Sequence, residues 1–200
     1  MMELKLNVDE KVRERISQNY LNALVNPKIP GSFNRGDRIN SKPKYIVIHD
    51  SSCLNNIESA LITDSEQIGV GALKIASIRK LGLDDYNFHF IVDKIGEDYE
   101  VVAGRPMTVK CDFPDLDPVY QNSLHVIILC DLNIDMPNNR LYKVLSYRCL
   151  APLLKMLKIS SDPYKAIVFH RDVETKRKDL KCPGDFLAKE VLMAQVRRYM

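Results

Sequence analysis

Three short apolar runs constrain the fold of this chain more than any other feature. Tyr45-Ile46-Val47-Ile48 leads into His49, and Ala166-Ile167-Val168-Phe169 leads into His170. Between them in the sequence, Leu124-His125-Val126-Ile127-Ile128-Leu129-Cys130 is broken by one polar residue. Such runs, too short for helices and rich in branched side chains, read as strands buried on both faces. Segments of helical period alternate with them. Residues 66–81 put Ile68, Ala72, Ile75 and Ile78 or Arg79 on one side before Gly82, and residues 139–157 carry Leu141, Leu145, Cys149, Leu153 and Met156. Further strands are expected near 87–93 and 98–103, and a final helix from about 184, with Pro183 in its first turn. The expected fold is α/β, a central mixed sheet flanked by helices.

The first 43 residues read differently. Val12, Ile16, Tyr20 and Leu24 form one helical face, Asn7 and Glu10 resemble a capping box, and Pro27 stops the helix. Pro27, Pro30, Gly31, Gly36 and Pro43 then punctuate a polar loop. The expected division is an N-terminal helix and loop arm over 1–43 and an α/β domain over 44–200. The arm is either an extra stabilising helix or a docking element for a protein partner.

A net charge of +3 over 200 residues is too small to argue for nucleic acid. No apolar run approaches the length that spans a bilayer, so no membrane partner is expected. The N-terminus, Met1-Met2-Glu3-Leu4-Lys5-Leu6, lacks the apolar core of a signal peptide. The five cysteines, at 53, 111, 130, 149 and 182, have no framework spacing. Cys130 and Cys149, within apolar runs, read as small buried hydrophobes, and a reducing cytoplasm is the expected compartment.

Two histidines at strand ends converge where ligands gather in an α/β sheet. With Cys182, inside Lys181-Cys182-Pro183-Gly184, they would offer zinc two imidazoles and a thiolate and leave a fourth position open. A helix starting just after Cys182 would lower its thiol pKa. On spacing alone, two core histidines and a buried cysteine explain the pattern equally well.

The neighbourhoods of these residues add a resemblance. His170-Arg171-Asp172, followed by Cys182-Pro183-Gly184-Asp185-Phe186, resembles the signature of the zinc-dependent N-acetylmuramoyl-L-alanine amidases, the superfamily that includes phage lysozyme-amidases and peptidoglycan recognition proteins. Ile46-Val47-Ile48-His49 looks like that family's first metal-ligand strand. Residues 82–92, Glu100–Pro106 and Asn122-Ser123-Leu124 are similar to its next three segments, in the same order, and the likeness runs from 44 to about 195. It implies zinc held by His49, His170 and Cys182, with peptidoglycan as the partner. The implied reaction is hydrolysis of the amide between N-acetylmuramic acid and L-alanine, by a phage endolysin or a virion-associated wall hydrolase. The implied location is the host cytoplasm before release to the wall, or the virion.

The likeness lapses at the residues that assist zinc. The tyrosine that one branch uses corresponds to Phe88, and the glutamate of another branch to Ile127. The Lys or Thr two positions before the third ligand is Leu180, and the loop from His170 to Cys182 is longer than usual, filled by Lys176, Arg177 and Lys178. Lys181 and Tyr86 are the candidate catalytic substitutes, Arg105 a candidate for binding substrate carboxylates, and Asp50 a candidate to orient a liganding histidine. His89 reads as a packed or surface residue. Without the usual helpers, the alternative function is an amidase-fold protein with impaired catalysis, acting as a binding or structural (e.g. virion) component.

Overall fold

In a computed structural model, residues 38–39, 41–54, 73, 86–95, 98–159, 162–177 and 179–200 are described. The three apolar runs become parallel strands. β1 (Ile46–Asp50) lies between β4 (Leu124–Ile128) and β5 (Ile167–Phe169), and β2 (Phe90–Ile95) adds in parallel beyond β4. β3 (Asp98–Ala103) closes the edge, antiparallel to β2, and the order is β3-β2-β4-β1-β5. This is the mixed sheet expected from the sequence. Every residue of β1, β4 and β5 is buried, which is why these strands lack polar alternation.

The register sets the two faces. Val47 pairs with His125 and with Val168, and His49 pairs with Ile127. These residues therefore share one face, on which Val47, Leu116, Val168 and Val173 make one apolar cluster. Leu54, Leu73, Phe88, Ile91, Ile127 and Leu129 make another. Phe113 packs against both clusters.

The expected helix over 139–157 is continuous in outline but not uniform. α1 (Asn139–Lys143) runs through a wider π-type stretch, Val144–Leu150, into α2 (Ala151–Met156). Asn138 caps it, its side chain accepting the Leu141 amide at 2.9 Å. Short helices α3 (Pro163–Ala166) and α4 (His170–Val173) bracket β5.

The last helix, α5, spans Lys189–Tyr199 and so starts later than the sequence pattern suggested. Pro183 is not in its first turn. The amides before it are claimed elsewhere: Gly184 donates to the Asp50 carboxylate at 2.7 Å and Phe186 to the Leu132 carbonyl at 3.0 Å. These bonds hold the turn ahead of the helix to other parts of the fold, and the extended backbone at Ala188, with φ −73° and ψ 113°, separates that turn from α5.

Strand β2 begins at Phe90 rather than near 87. Asn87 instead bridges to Asp112, its side chain donating to that residue's carbonyl at 2.8 Å and accepting its amide at 2.6 Å. The expected helix over 66–81 lies outside the described residues except Leu73, which is helical and buried. The 1–43 arm lies outside them except Arg38, Ile39 and residues 41–43, of which Arg38 bridges Val109. Among the described residues, no helix is long and apolar enough to cross a membrane.

Replacing Asn138 by alanine leaves the Leu141 amide uncapped and is expected to cost about 1 kcal/mol of stability. A chemical-denaturation midpoint, with unchanged slope, would measure it.

Candidate metal centre

Parallel pairing of β1 and β5 aligns Ile48 with Phe169, so the next residues, His49 and His170, emerge side by side at the same sheet edge. Their rings lie 4.5 Å apart, centre to centre. The loop at Cys182 closes over them, with Cys182 Sγ 4.0 Å from His49 Nδ1 and 3.4 Å from the Asp50 amide. The three residues expected to ligate a metal thus come together, His49 and Cys182 fully buried and His170 nearly so.

Each histidine has one nitrogen engaged by a protein partner. His49 Nε2 lies 2.9 Å from His125 Nδ1. His170 Nε2 lies 3.3 Å from the Glu174 carboxylate, which is itself buried and also meets Arg177 at 3.2 Å. The other nitrogen of His170, Nδ1, is buried with no hydrogen-bond partner among the described residues. Unsatisfied buried nitrogens are costly, and a metal ion is one group that satisfies them. Tetrahedral zinc, with nitrogen at about 2.0–2.1 Å and sulfur at about 2.3 Å, would hold such a pair about 3.6 Å apart. The 4.0 Å between His49 Nδ1 and Cys182 Sγ is close to that value. The donor set fits.

The loop is positioned by Asp50. Its carboxylate accepts the amides of Ser52 at 3.1 Å, Leu132 at 3.0 Å and Gly184 at 2.7 Å, as well as the Ser52 hydroxyl. Asp50 thus orders backbone rather than an imidazole, and the ring partners are His125 and Glu174. A Cβ on Gly184 would stand 2.1 Å from the Leu132 carbonyl carbon, so only glycine lets the two loops meet.

All four histidines of the chain belong to this interior. Phe113 stacks on His49 and on His125, each at 4.6 Å, and Phe88 meets His49 edge-on at 5.2 Å. His89 stacks on His125 at 5.9 Å, with Nε2 3.0 Å from the Val109 carbonyl. Burial, and then the neighbouring His170 and His125, depress His49 well below the usual imidazole range. Burial likewise lowers His89 and His170 to about 4, and burial, then the neighbouring His89 and His170, hold His125 well below the usual imidazole range. Neutral imidazoles are the form that binds metals. Cys182 behaves differently from expectation: burial, and then the adjacent Cys53 thiol, raise its pKa well above the usual value. No helix begins at Cys182, so no helix dipole opposes that burial.

The candidate helpers have other partners. Lys181 points to solvent, its ammonium 3.2 Å from Asp185, while its carbonyl accepts the Ser52 hydroxyl at 3.0 Å. Tyr86 packs against the cluster around Phe88, and its carbonyl accepts Arg105 Nε at 2.6 Å. Arg105 is buried, with Nη1 donating to the Lys110 carbonyl at 3.3 Å. A substrate carboxylate would have to compete with those carbonyls for it. Phe88 and Ile127 are both hydrocarbon and buried in one cluster.

Sequence reasoning missed His125, Glu174 and Cys53. His125 could have been found, because strand alternation puts it on the face of Ile127. Glu174 stands four residues after His170, and Cys53 four after His49, which are weak signals without the fold. Cys53 Sγ, Cys182 Sγ and a ring nitrogen of His49 lie within 4.8 Å of one another, a group that could hold a metal ion. All five cysteines are free thiols, and Cys149 is buried as expected, whereas Cys130 is half-buried.

No protein-family model matches the chain, and no curated protein matches it by sequence. Solved structures do. The amidase endolysin LysCS of Clostridium intestinale superposes with a TM-score of 0.59 at 18% identity, covering 84% of this chain and 93% of its own. This chain has the fold of the N-acetylmuramoyl-L-alanine amidases and peptidoglycan recognition proteins. The Ph2119 endolysin from a Thermus scotoductus bacteriophage gives 0.52 at 17% identity, covering 80% of this chain and 89% of its own. The ectodomain complex of peptidoglycan recognition proteins LCa and LCx, bound to tracheal cytotoxin, gives 0.54 at 16% identity, with coverage of 81% and 88%.

Gly184→Ala is expected to force the ligand loop from Leu132, lowering stability by about 2 kcal/mol and weakening metal uptake. Denaturation and a metal-competition titration would measure the two effects. The depressed His89 sets a pH dependence. Between the unfolded value near 6.5 and about 4 in the fold, only the unfolded chain takes up this proton, so stability falls as pH drops through that window. The expected slope is about 1.4 kcal/mol per pH unit for this group, read from urea unfolding of metal-free protein.

Proposed function

We propose that this chain holds zinc through His49, His170 and Cys182 and hydrolyses the amide between N-acetylmuramic acid and L-alanine in peptidoglycan. It would serve as a phage endolysin or a virion-associated wall hydrolase. The observation that carries this reading is the paired arrangement of the histidines. His125 and Glu174 engage the outer nitrogen of each, the Nδ1 of His170 is left unsatisfied, and that of His49 faces the Cys182 sulfur.

Bound zinc supplies an acidified water near neutral pH and polarises an amide carbonyl. The protein's residues supply the rest. His125 and Glu174 fix the planes of the two liganding rings, and their lone pairs set which tautomer each ring adopts. Phe113 and Phe88 cover His49 and keep the dielectric low, which strengthens charge interactions at the reacting atoms. Lys181, once free of Asp185, is the cation assigned to the developing oxyanion, and Tyr86 is the candidate donor to the leaving amine.

A second reading has its own observation. Phe88 and Ile127 place buried hydrocarbon where amidases of this kind keep a polar helper. On that reading the chain recognises peptidoglycan or serves as a structural component of a virion, holding metal without turnover. The fold is shared with recognition proteins, one pair of which binds tracheal cytotoxin, so fold alone does not choose.

Zinc-loaded protein incubated with purified peptidoglycan of several chemotypes is expected to release stem peptides that begin with free L-alanine, read by mass spectrometry. Chelation and Cys182→Ser should each abolish release, and Lys181→Ala should cut it about 100-fold. Intact peptidoglycan with folded, zinc-bound protein would overturn the amidase and leave the recognition reading.

A further inference from the structure

Cys53 has no place in the three-ligand site, yet it lies within it. It belongs to the one-turn 3-10 segment Ser51–Leu54, which starts as β1 ends. Ser52 ties that turn to the ligand loop, its amide donating to Asp50 at 3.1 Å and its one hydroxyl proton shared between the Asp50 carboxylate and the Lys181 carbonyl, 3.0 Å away. The tie brings the Cys53 sulfur within 4.8 Å of the donor atoms of His49 and Cys182. Tetrahedral zinc holds two sulfurs about 3.8 Å apart, so the cluster needs to contract by no more than about 1 Å. The buried Nδ1 of His170, on a ring 4.5 Å from that of His49, lies outside this group of three and would move toward it to supply the remaining donor.

We propose that Cys53 is a fourth protein ligand, giving zinc a closed set of two histidines and two cysteines. A closed set is the signature of a structural or resting site, because a catalytic one keeps a position for water. Cys53 is half-buried while the other three donors are buried, so it is the ligand placed to leave. Its departure would open the position that hydrolysis requires, so the resting protein turns over slowly rather than not at all. This slow turnover rests on the amidase reading; the ligation does not.

X-ray absorption at the zinc edge of full-length, zinc-loaded protein tests the ligation. Two sulfur neighbours are expected in the wild type and one in Cys53→Ala. One sulfur in the wild type, or two retained in the variant, overturns the proposal. A protein that takes up no zinc overturns it together with the metal reading. Alkylation of the wild type, mapped by mass spectrometry, covers a variant that does not fold. Zinc should slow modification of Cys53 at least tenfold, and an unchanged rate counts against ligation. Activity then separates the two readings. Release of stem peptides should rise at least tenfold in Cys53→Ala. If the sulfur count drops from two to one and neither protein cleaves peptidoglycan, the ligation stands and the amidase reading falls.

Discussion

The buried carboxylate of Asp50 joins three stretches of backbone that are far apart in the sequence. It ends β1 and accepts amides from Ser52, from Leu132 after β4, and from Gly184 beside the third ligand. Burial, and to a lesser extent the nearby Asp131 carboxylate, raise its pKa, and the bonds from Ser52, Gly184 and Leu132 oppose the rise by favouring the charged form. Removing the carboxylate would strand several buried amides at once. The cost of such groups, about 1–3 kcal/mol each, is why the loop carrying Cys182 has one position rather than many. His49, His170 and Cys182 meet because that loop is held against the ends of β1 and β5.

Around this clasp, the interior has an unusual composition for a hydrophobic core. Four imidazoles and two phenylalanine rings share one face of the sheet, with centres 4.5 to 5.9 Å apart in the pairs that touch. Such a group is tolerable only while its imidazoles are neutral, because several charges in a dry interior would repel one another strongly. The same neutrality suits metal binding. Stability toward acid and competence for a metal are therefore linked through one set of residues.

The likeness to solved amidases and recognition proteins, at 16–18% identity, concerns the fold. The chemistry is decided by few side chains. Phe88 and Ile127 put hydrocarbon beside His49, and Cys53 puts a second thiol near it. A site can keep its ligands while losing or hiding its reactivity, because ligation depends on the sheet edge and reactivity on the groups next to it.

The strands, their burial and the convergence of His49, His170 and Cys182 were legible in the sequence. Continuous apolar runs can be satisfied only by a sheet covered on both faces, and the two histidines stand at the ends of such runs. The late start of α5 was not legible, because the amides of Gly184 and Phe186 are taken by Asp50 and Leu132, residues distant in the chain. The direction of the Cys182 shift was misread for the same reason, since a local helix was assumed where the fold places a bonded loop. His125, Glu174 and Cys53 entered the site only through strand register and loop closure. Sequence alone determined which segments must be buried and paired, as hydrophobic periodicity is a local property. Tertiary structure decided which polar atoms meet inside, because those contacts depend on distances between segments that no local pattern encodes.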